Sequence, residues 1–389
     1  MKKNALKHVL TISKNCISKK NGTKGVFSAL RFFSPAGSGG SPRAVPEGRP
    51  RPGGEQSTTA VIVLKKSFPA QDFRLPPAPG YDKIPPRLPL EKVYFAASRV
   101  FNALRSFCGD MLREFNTARQ PPLERARALL DETAVVLGLN YNALLGVMMG
   151  DLDGEYRPAH CVRTTILALL AGLQFGLPPE RVRNLGLSAM FCDVGMALLP
   201  DISDCPHPLT PPAEGGADAL RQHPVLGLGC LAHNVRCREI LRGIAEHHER
   251  VDGTGYPVGL SGERISLAGK ILAVADNYDA LICVHPHSEP LPPHLALARL
   301  RCLGGAAFDR DVLEHVIRCL GAYPVGSVVE TDGGRRAVVV GNSPDTPLQP
   351  VVRPLRSFSE KAAGPDAFRV QRAERITTVF PLSGQWSWA

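Results

Sequence analysis

Glu246-His247-His248-Glu249-Arg250-Val251-Asp252-Gly253-Thr254-Gly255-Tyr256-Pro257 is the stretch whose reading decides the fold. Two adjacent histidines end an apolar helical pattern carried by Ile240, Leu241 and Ile244, and a glycine-rich turn closed by Tyr-Pro follows at once. Imidazoles ligate metals and partner phosphates. Glycine lets backbone approach whatever the imidazoles hold. A histidine pair alone says little, because cations are favoured at any helix C-terminus. Fused to this turn, the pair points to a metal-and-phosphate site.

Outward from this run, residues 155–320 carry helical periodicity: Val162–Leu173, Arg181–Leu199, Pro224–Asn234, Arg238–His248, Ile265–Cys283, Pro293–Leu303 and Arg310–Leu320. A repeated 3.6-residue period without alternating strands predicts an all-α domain over 151–320. Before it, 58–150 reads as a linker and helical lead-in. Within that lead-in, Thr58–Ser67 is a short strand candidate, 69–90 is Pro-rich, and helices fall over Leu90–Thr117, Pro121–Leu137 and Asn140–Met149. After Gly321 the pattern turns β-rich at Val325–Glu330, Arg336–Val340 and Gln349–Arg353. This predicts a small β appendage over 321–356, and a C-terminal tail over 357–389 holds one further strand candidate at Ile376–Phe380.

The 389 residues carry a net charge of +10. Residues 1–66 hold 13 Lys/Arg against 2 Asp/Glu, and the remainder holds 33 against 34. The basic charge therefore belongs to a tail whose first 57 residues have a disordered composition, and the folded part has no electrostatic argument for nucleic acid. No apolar run reaches the roughly 18–20 residues of a membrane helix, so no integral membrane segment is expected. The ten cysteines contain no Cys-x-x-Cys pair. That spacing fits free thiols in a reducing cytoplasm better than a disulfide framework.

Potential ligands cluster at His160, Cys192-Asp193, His223, His247-His248 and Asp276. The intervals are about one helix hairpin each, so successive helices of a bundle can return them to one place. Imidazoles with carboxylates suit Fe, Mn or Zn. A bridging aspartate suits two ions about 3.5–4 Å apart, an arrangement used in phosphoester cleavage. Cys192 reads equally as a ligand or as a small buried hydrophobe. His207, His233, His294 and His315 read as ordinary structural histidines.

These clusters, together with Gly255-Tyr256-Pro257 and the stretch Ala268–Leu281, resemble the HD-GYP family, a branch of the HD-superfamily phosphohydrolases. The resemblance covers roughly Glu155 to Leu320 and continues into the β appendage. It implies an all-α HD-superfamily bundle in a bacterial signalling protein, with cyclic di-GMP as substrate and the linear dinucleotide and GMP as products. It matches His160, His223, His247, His248 and Asp276 to metal ligands and Asp193 to the bridging catalytic aspartate. Gly255, Tyr256, Pro257 and Lys270 match positions that face substrate, and the Gly-Tyr-Pro turn also fits a site for a signalling partner. Some members place a third-metal glutamate four residues before the first histidine. Tyr156 stands there, so two divalent ions are expected.

The chain also departs from the family pattern. The family doublet His-Asp-x-Gly-Lys reads Cys192-Asp193-Val194-Gly195-Met196 here. The arginines expected after Leu281 are replaced by His285-Pro286-His287-Ser288. Losing one electrostatic contact to a transition state typically costs about 10²–10³ in rate. Two readings follow from the resemblance: a phosphodiesterase with impaired turnover, or an inactive module that binds cyclic di-GMP or scaffolds signalling.

Overall fold

A computed structural model describes residues 87–115, 121–152, 156–199, 220–283, 290–331, 334–355, 368–369 and 376–380. The basic tail, the strand expected at Thr58–Ser67, the 69–86 part of the Pro-rich linker and the segment around His285 and His287 lie outside them, as does His207.

The described chain is mostly helical with one small sheet, as the sequence predicts. The helices are α1 (Leu90–Glu114), α2 (Leu123–Met149), α3 (Tyr156–Gln174), α4 (Pro179–Phe191), α5 (His223–Leu231), α6 (Arg238–Glu246), α7 (Leu267–Ile282), α8 (Pro293–Cys302) and α9 (Arg310–Leu320). A 3-10 turn, Val194–Leu198, follows α4. Helix α7 is buried from Ala268 to Ile282 and packs against α3, α6, α8 and α9. The ligand-bearing α3 and α6 gather on it, and α5 packs on α6 and the 3-10 turn. Ser266 caps its N-terminus by accepting from the Gly269 N–H, and Asp309 caps α9 by accepting from Asp311 and Val312.

The break expected between the helices at 121–137 and 140–149 falls at Asn140, inside α2, where the backbone leaves the helical region (φ −164°, ψ 99°). The Asn140 side chain fills the break by donating to Leu88 O at 2.8 Å and accepting from Asn142 N at 3.1 Å. Among the described residues, α2 is the one helix long and apolar enough to cross a membrane, with a mean hydropathy of 1.2 over its best window. Two-thirds of that window (67%) is buried inside the protein, which marks a core helix. Its hydrophobic face joins Leu104, Phe107, Leu130, Leu144 and Ile166 in the main core.

The sheet is antiparallel, in the order β4-β3-β2-β1-β5, from β1 (Val328–Thr331), β2 (Arg336–Gly341), β3 (Val351–Pro354), β4 (Phe368–Arg369) and β5 (Ile376–Phe380). It therefore extends past residue 356, where the appendage was expected to end. The free edge of β1 recruits β5, because an unpaired strand edge is a ready template for another strand. Asn342 locks the sheet to α2: its N–H donates to Asn142 Oδ1 at 2.9 Å, and its carbonyl accepts from Tyr141 Oη at 2.7 Å.

Candidate metal centre

Four elements converge on Asp193, the residue between α4 and the 3-10 turn. Asp193 Oδ1 lies 3.2 Å from His223 Nε2 and 3.6 Å from His247 Nε2, and Asp193 Oδ2 lies 3.4 Å from His160 Nε2. His160 comes from α3 and His223 starts α5. His247 and His248 follow the last residue of α6. Asp276 comes from α7, with Oδ1 at 3.0 Å from His160 Nε2 and Oδ2 at 3.9 Å from His248 Nδ1. The donor atoms form two sets that share one carboxylate. One is Asp193, His223, His247 and His248. The other is His160, Asp193 and Asp276.

Local backbone decides which imidazole nitrogen faces the centre. His223 Nδ1 donates to Leu220 O and His247 Nδ1 donates to Ile244 O, each at 2.7 Å. A carbonyl only accepts, so in the neutral ring both Nε2 atoms are bare lone pairs. Yet those two atoms face each other at 3.1 Å, beside a carboxylate. Lone pair against lone pair is repulsive unless a proton or a metal cation sits between them. Asp276 Oδ2 is likewise buried with no hydrogen-bond partner. These orphaned acceptors are what a divalent ion would satisfy.

The carboxylates favour positive charge at the heart of the centre: burial opposes charge on His247, but Asp193 and then Asp276 raise its pKa. Burial alone would raise the Asp193 carboxyl, but His160, His223 and His247 hold it well below the usual range. Burial, followed by His247 and His223, pushes the His248 imidazole well down, which leaves it bare at neutral pH. Burial also opposes charge on His160, yet Tyr156 and then Asp193, Asp276 and Asp279 carry its pKa well above the ordinary value.

The Gly-Tyr-Pro turn folds over the imidazoles. Tyr256 stacks on His248 with ring centroids 4.6 Å apart and meets His223 edge-on at 6.4 Å. The Tyr256–Pro257 peptide is cis. A Cβ at Gly255 would fall 2.3 Å from Arg250 N and 2.5 Å from Glu249 Cα, so only glycine fits there.

Two expected site residues are not brought in. Cys192 is buried, but its thiol turns back along α4 and donates to Ala189 O at 3.1 Å, outside both donor sets. The side chain is one atom beyond Cβ, and that atom is already engaged with its own helix. Lys270 bonds Asp309 Oδ2 at 2.8 Å and Glu263 Oε1 at 3.0 Å, so its charge is already neutralised by these carboxylates rather than offered to a substrate.

Sequence reasoning missed two contributors, Asp279 and Glu249, and did not foresee the packing of a third, Tyr156. Asp279 accepts from His160 Nδ1 at 2.7 Å and is itself held by Arg163, Nε to Oδ1 at 2.6 Å. Glu249 accepts from the backbone N–H groups of Val258, Gly259 and Leu260 and so ties down the turn. Tyr156 stacks against His160 at 5.2 Å. A usable signal did exist for the first: Asp276 and Asp279 share a helix face at i, i+3, as do His160 and Arg163.

A family model described as HD domain matches residues 153–312. A cyclic di-GMP phosphodiesterase of Pseudomonas aeruginosa is 30% identical over 336 residues, covering 84% of this chain and 77% of that protein. A cyclic di-GMP phosphodiesterase response regulator of Xanthomonas campestris is 36% identical over 171 residues, covering 42% of this chain and 44% of its own length. Among solved structures, an HDG"Y"P protein from Bdellovibrio bacteriovorus aligns over 58% of this chain and 75% of its own, at 16% identity and a TM-score of 0.46.

Proposed function

The chain belongs to the HD-GYP family of HD-domain phosphohydrolases, and on that premise we propose that it is a cyclic di-GMP phosphodiesterase working through two divalent ions. The observation that carries the reading is the pair of donor sets joined at Asp193. Ions held there would supply Lewis-acid activation of the phosphodiester and of water. The chain's own residues do the rest. His160 and Asp276 would hold one ion, His223, His247 and His248 the other, and Asp193 would bridge them. Tyr256 packs on His248 and narrows the approach. Arg221, whose guanidinium lies 5.7 Å from the Tyr256 ring, puts a positive charge at the rim where a phosphate would arrive.

Fe, Mn and Zn all fit this imidazole–carboxylate set. Tyr156 occupies the side of His160 where the resemblance puts a third-metal glutamate, which supports two ions rather than three. The eight described cysteines are all free, which supports the cytoplasm as the compartment. The Gly-Tyr-Pro turn, with Val258 exposed beside it, is the surface we assign to a signalling partner.

A second reading has a specific observation behind it. Cys192 is turned out of the site and Met196 offers no charge to a phosphate, which favours slow turnover or a receptor that binds cyclic di-GMP without opening it. Incubating the protein with cyclic di-GMP and Mn²⁺ or Fe²⁺, followed by chromatography, separates the two. Linear dinucleotide or GMP is the expected product. Tight binding with no product at stoichiometric protein would establish the receptor reading instead.

A further inference from the structure

We propose that the two halves of this centre hold their ions unequally: a tight ion at Asp193, His223, His247 and His248, and a loose, exchangeable one at His160, Asp193 and Asp276. The inference rests on the phosphodiesterase reading and deepens it by making occupancy of one half the control point.

The first argument is donor number. The histidine-rich set has four protein donors, all within 4.8 Å of one another, and the other set has three. Four protein ligands close a tetrahedral ion, whereas three leave a position for water or substrate. The second argument is why the smaller set is short. The resemblance puts a histidine at position 192, next to the shared Asp193 and within electrostatic reach of Asp276 and His160. The Cys192 thiol hydrogen points at Ala189 O, 3.1 Å away, so the sulfur is committed to its own helix.

Donor type adds a third argument. Three imidazoles and one carboxylate make a nitrogen-rich site, which ranks Zn²⁺ and Fe²⁺ well above Mn²⁺. One imidazole and two carboxylates make an oxygen-rich site, which accepts Mn²⁺ more readily. The smaller set is still built to bind. Asp276 Oδ2 is buried and unpartnered, and Asp279 holds His160 Nδ1 so that Nε2 faces inward. The protein would thus carry one resident ion, and the second would come and go with the supply of free divalent metal.

The test is titration of the metal-free full-length chain with Zn²⁺ and with Mn²⁺, read by calorimetry against a competing chelator. Two steps at least about tenfold apart are expected, since even outer-sphere partners shift metal affinity by about 10–100-fold. His247→Ala should remove the tighter step, and Asp276→Ala the weaker one alone. Cys192→Ala should leave both steps where they are, while Cys192→His should tighten the weaker step and bring the two together. Two indistinguishable steps in the wild type would overturn the inference while sparing the phosphodiesterase reading. So would a loss of affinity in Cys192→Ala, which folds more readily than the histidine variant and would show the thiol to be a ligand. A chain that binds no ion at all would bring down both.

Discussion

His160 Nδ1 and Asp279 Oδ2 lie 2.7 Å apart although 119 residues separate them in the chain. The contact selects the tautomer that presents Nε2 to the centre, and Arg163, only 1% exposed, neutralises the aspartate behind it. Burial would raise the Asp279 carboxyl, but Arg163 and His160 keep it below its ordinary value, so it is an anion. Asp279→Asn should weaken metal binding by about 10–100-fold. Each variant also strands one charge of the buried pair, so Asp279→Asn and Arg163→Met should both destabilise the fold, by about 3–5 kcal/mol. Unchanged metal affinity in Asp279→Asn would show that the hydrogen bond is structural only.

Glu249 accepts three backbone N–H bonds, from Val258 at 2.8 Å, Gly259 at 3.1 Å and Leu260 at 2.9 Å. It therefore plays for the Gly-Tyr-Pro turn the part that a cap plays for a helix. Glu249→Ala leaves those donors without their acceptor, at about 1–3 kcal/mol. Hydrogen exchange at the three amides should speed up in the variant well before global unfolding. Protection equal to wild type would mean that the cis turn holds itself.

The convergence of the candidate ligands was legible because their types are costly to bury without a partner and because their spacing matched helix hairpins. The turn was legible because Gly255 and Pro257 are backbone instructions. What could not be read was side-chain direction. The composition of Cys192 fits a ligand, yet its sulfur faces Ala189, and Lys270 looks like a phosphate contact yet is paired with Asp309. Partnerships between distant ordinary residues were equally hidden. Arg163 and Asp279 are each unremarked in sequence, and only packing α3 on α7 makes them a pair. The break at Asn140 was legible as a gap between two helical periods, whereas β4 is too short to leave a pattern.

Gly255→Ala is predicted to be among the most damaging single-methyl changes in the turn. The new Cβ meets backbone atoms of Arg250, Glu249 and His248 at 2.3–2.6 Å, and none of these can move without shifting the candidate ligand His248. A loss of about 1–3 kcal/mol is expected, together with weaker metal binding. Gly229→Ala is the control: nothing lies within 4 Å of its Cβ, and in α5 it should stabilise by about 0.5–1 kcal/mol. Equal unfolding midpoints for the two variants would contradict the clash.

Acid should weaken the fold through His315, which stacks on Phe175 with centroids 3.7 Å apart. Burial, with help from Arg318, pushes its pKa from 6.5 down to about 4. A depressed histidine pKa means that the unfolded chain binds the proton more readily. The stabilising contribution is therefore complete above about pH 6.5 and is lost as pH falls from there toward 4. Denaturant midpoints measured across that range should fall less steeply in His315→Gln than in wild type. Parallel curves would assign the acid sensitivity to other groups.

Met196 stands where the resemblance puts a lysine. It lies half-buried in the 3-10 turn that starts at Val194, and its N–H donates to Asp193 O at 2.9 Å, one turn from the shared carboxylate. A cation at this position would sit beside the ions and stabilise negative charge building on phosphorus. Losing one contact of this kind typically costs about 10²–10³ in rate. Met196→Lys should therefore raise cyclic di-GMP turnover, and more so combined with Cys192→His, which completes the three-donor set. The gain belongs in kcat rather than KM, because a contact made in the transition state raises the rate without tightening the ground state. If the double variant binds two ions tightly and kcat still does not rise, the defect lies elsewhere, and the loss of the arginines expected after Leu281 becomes the account to test.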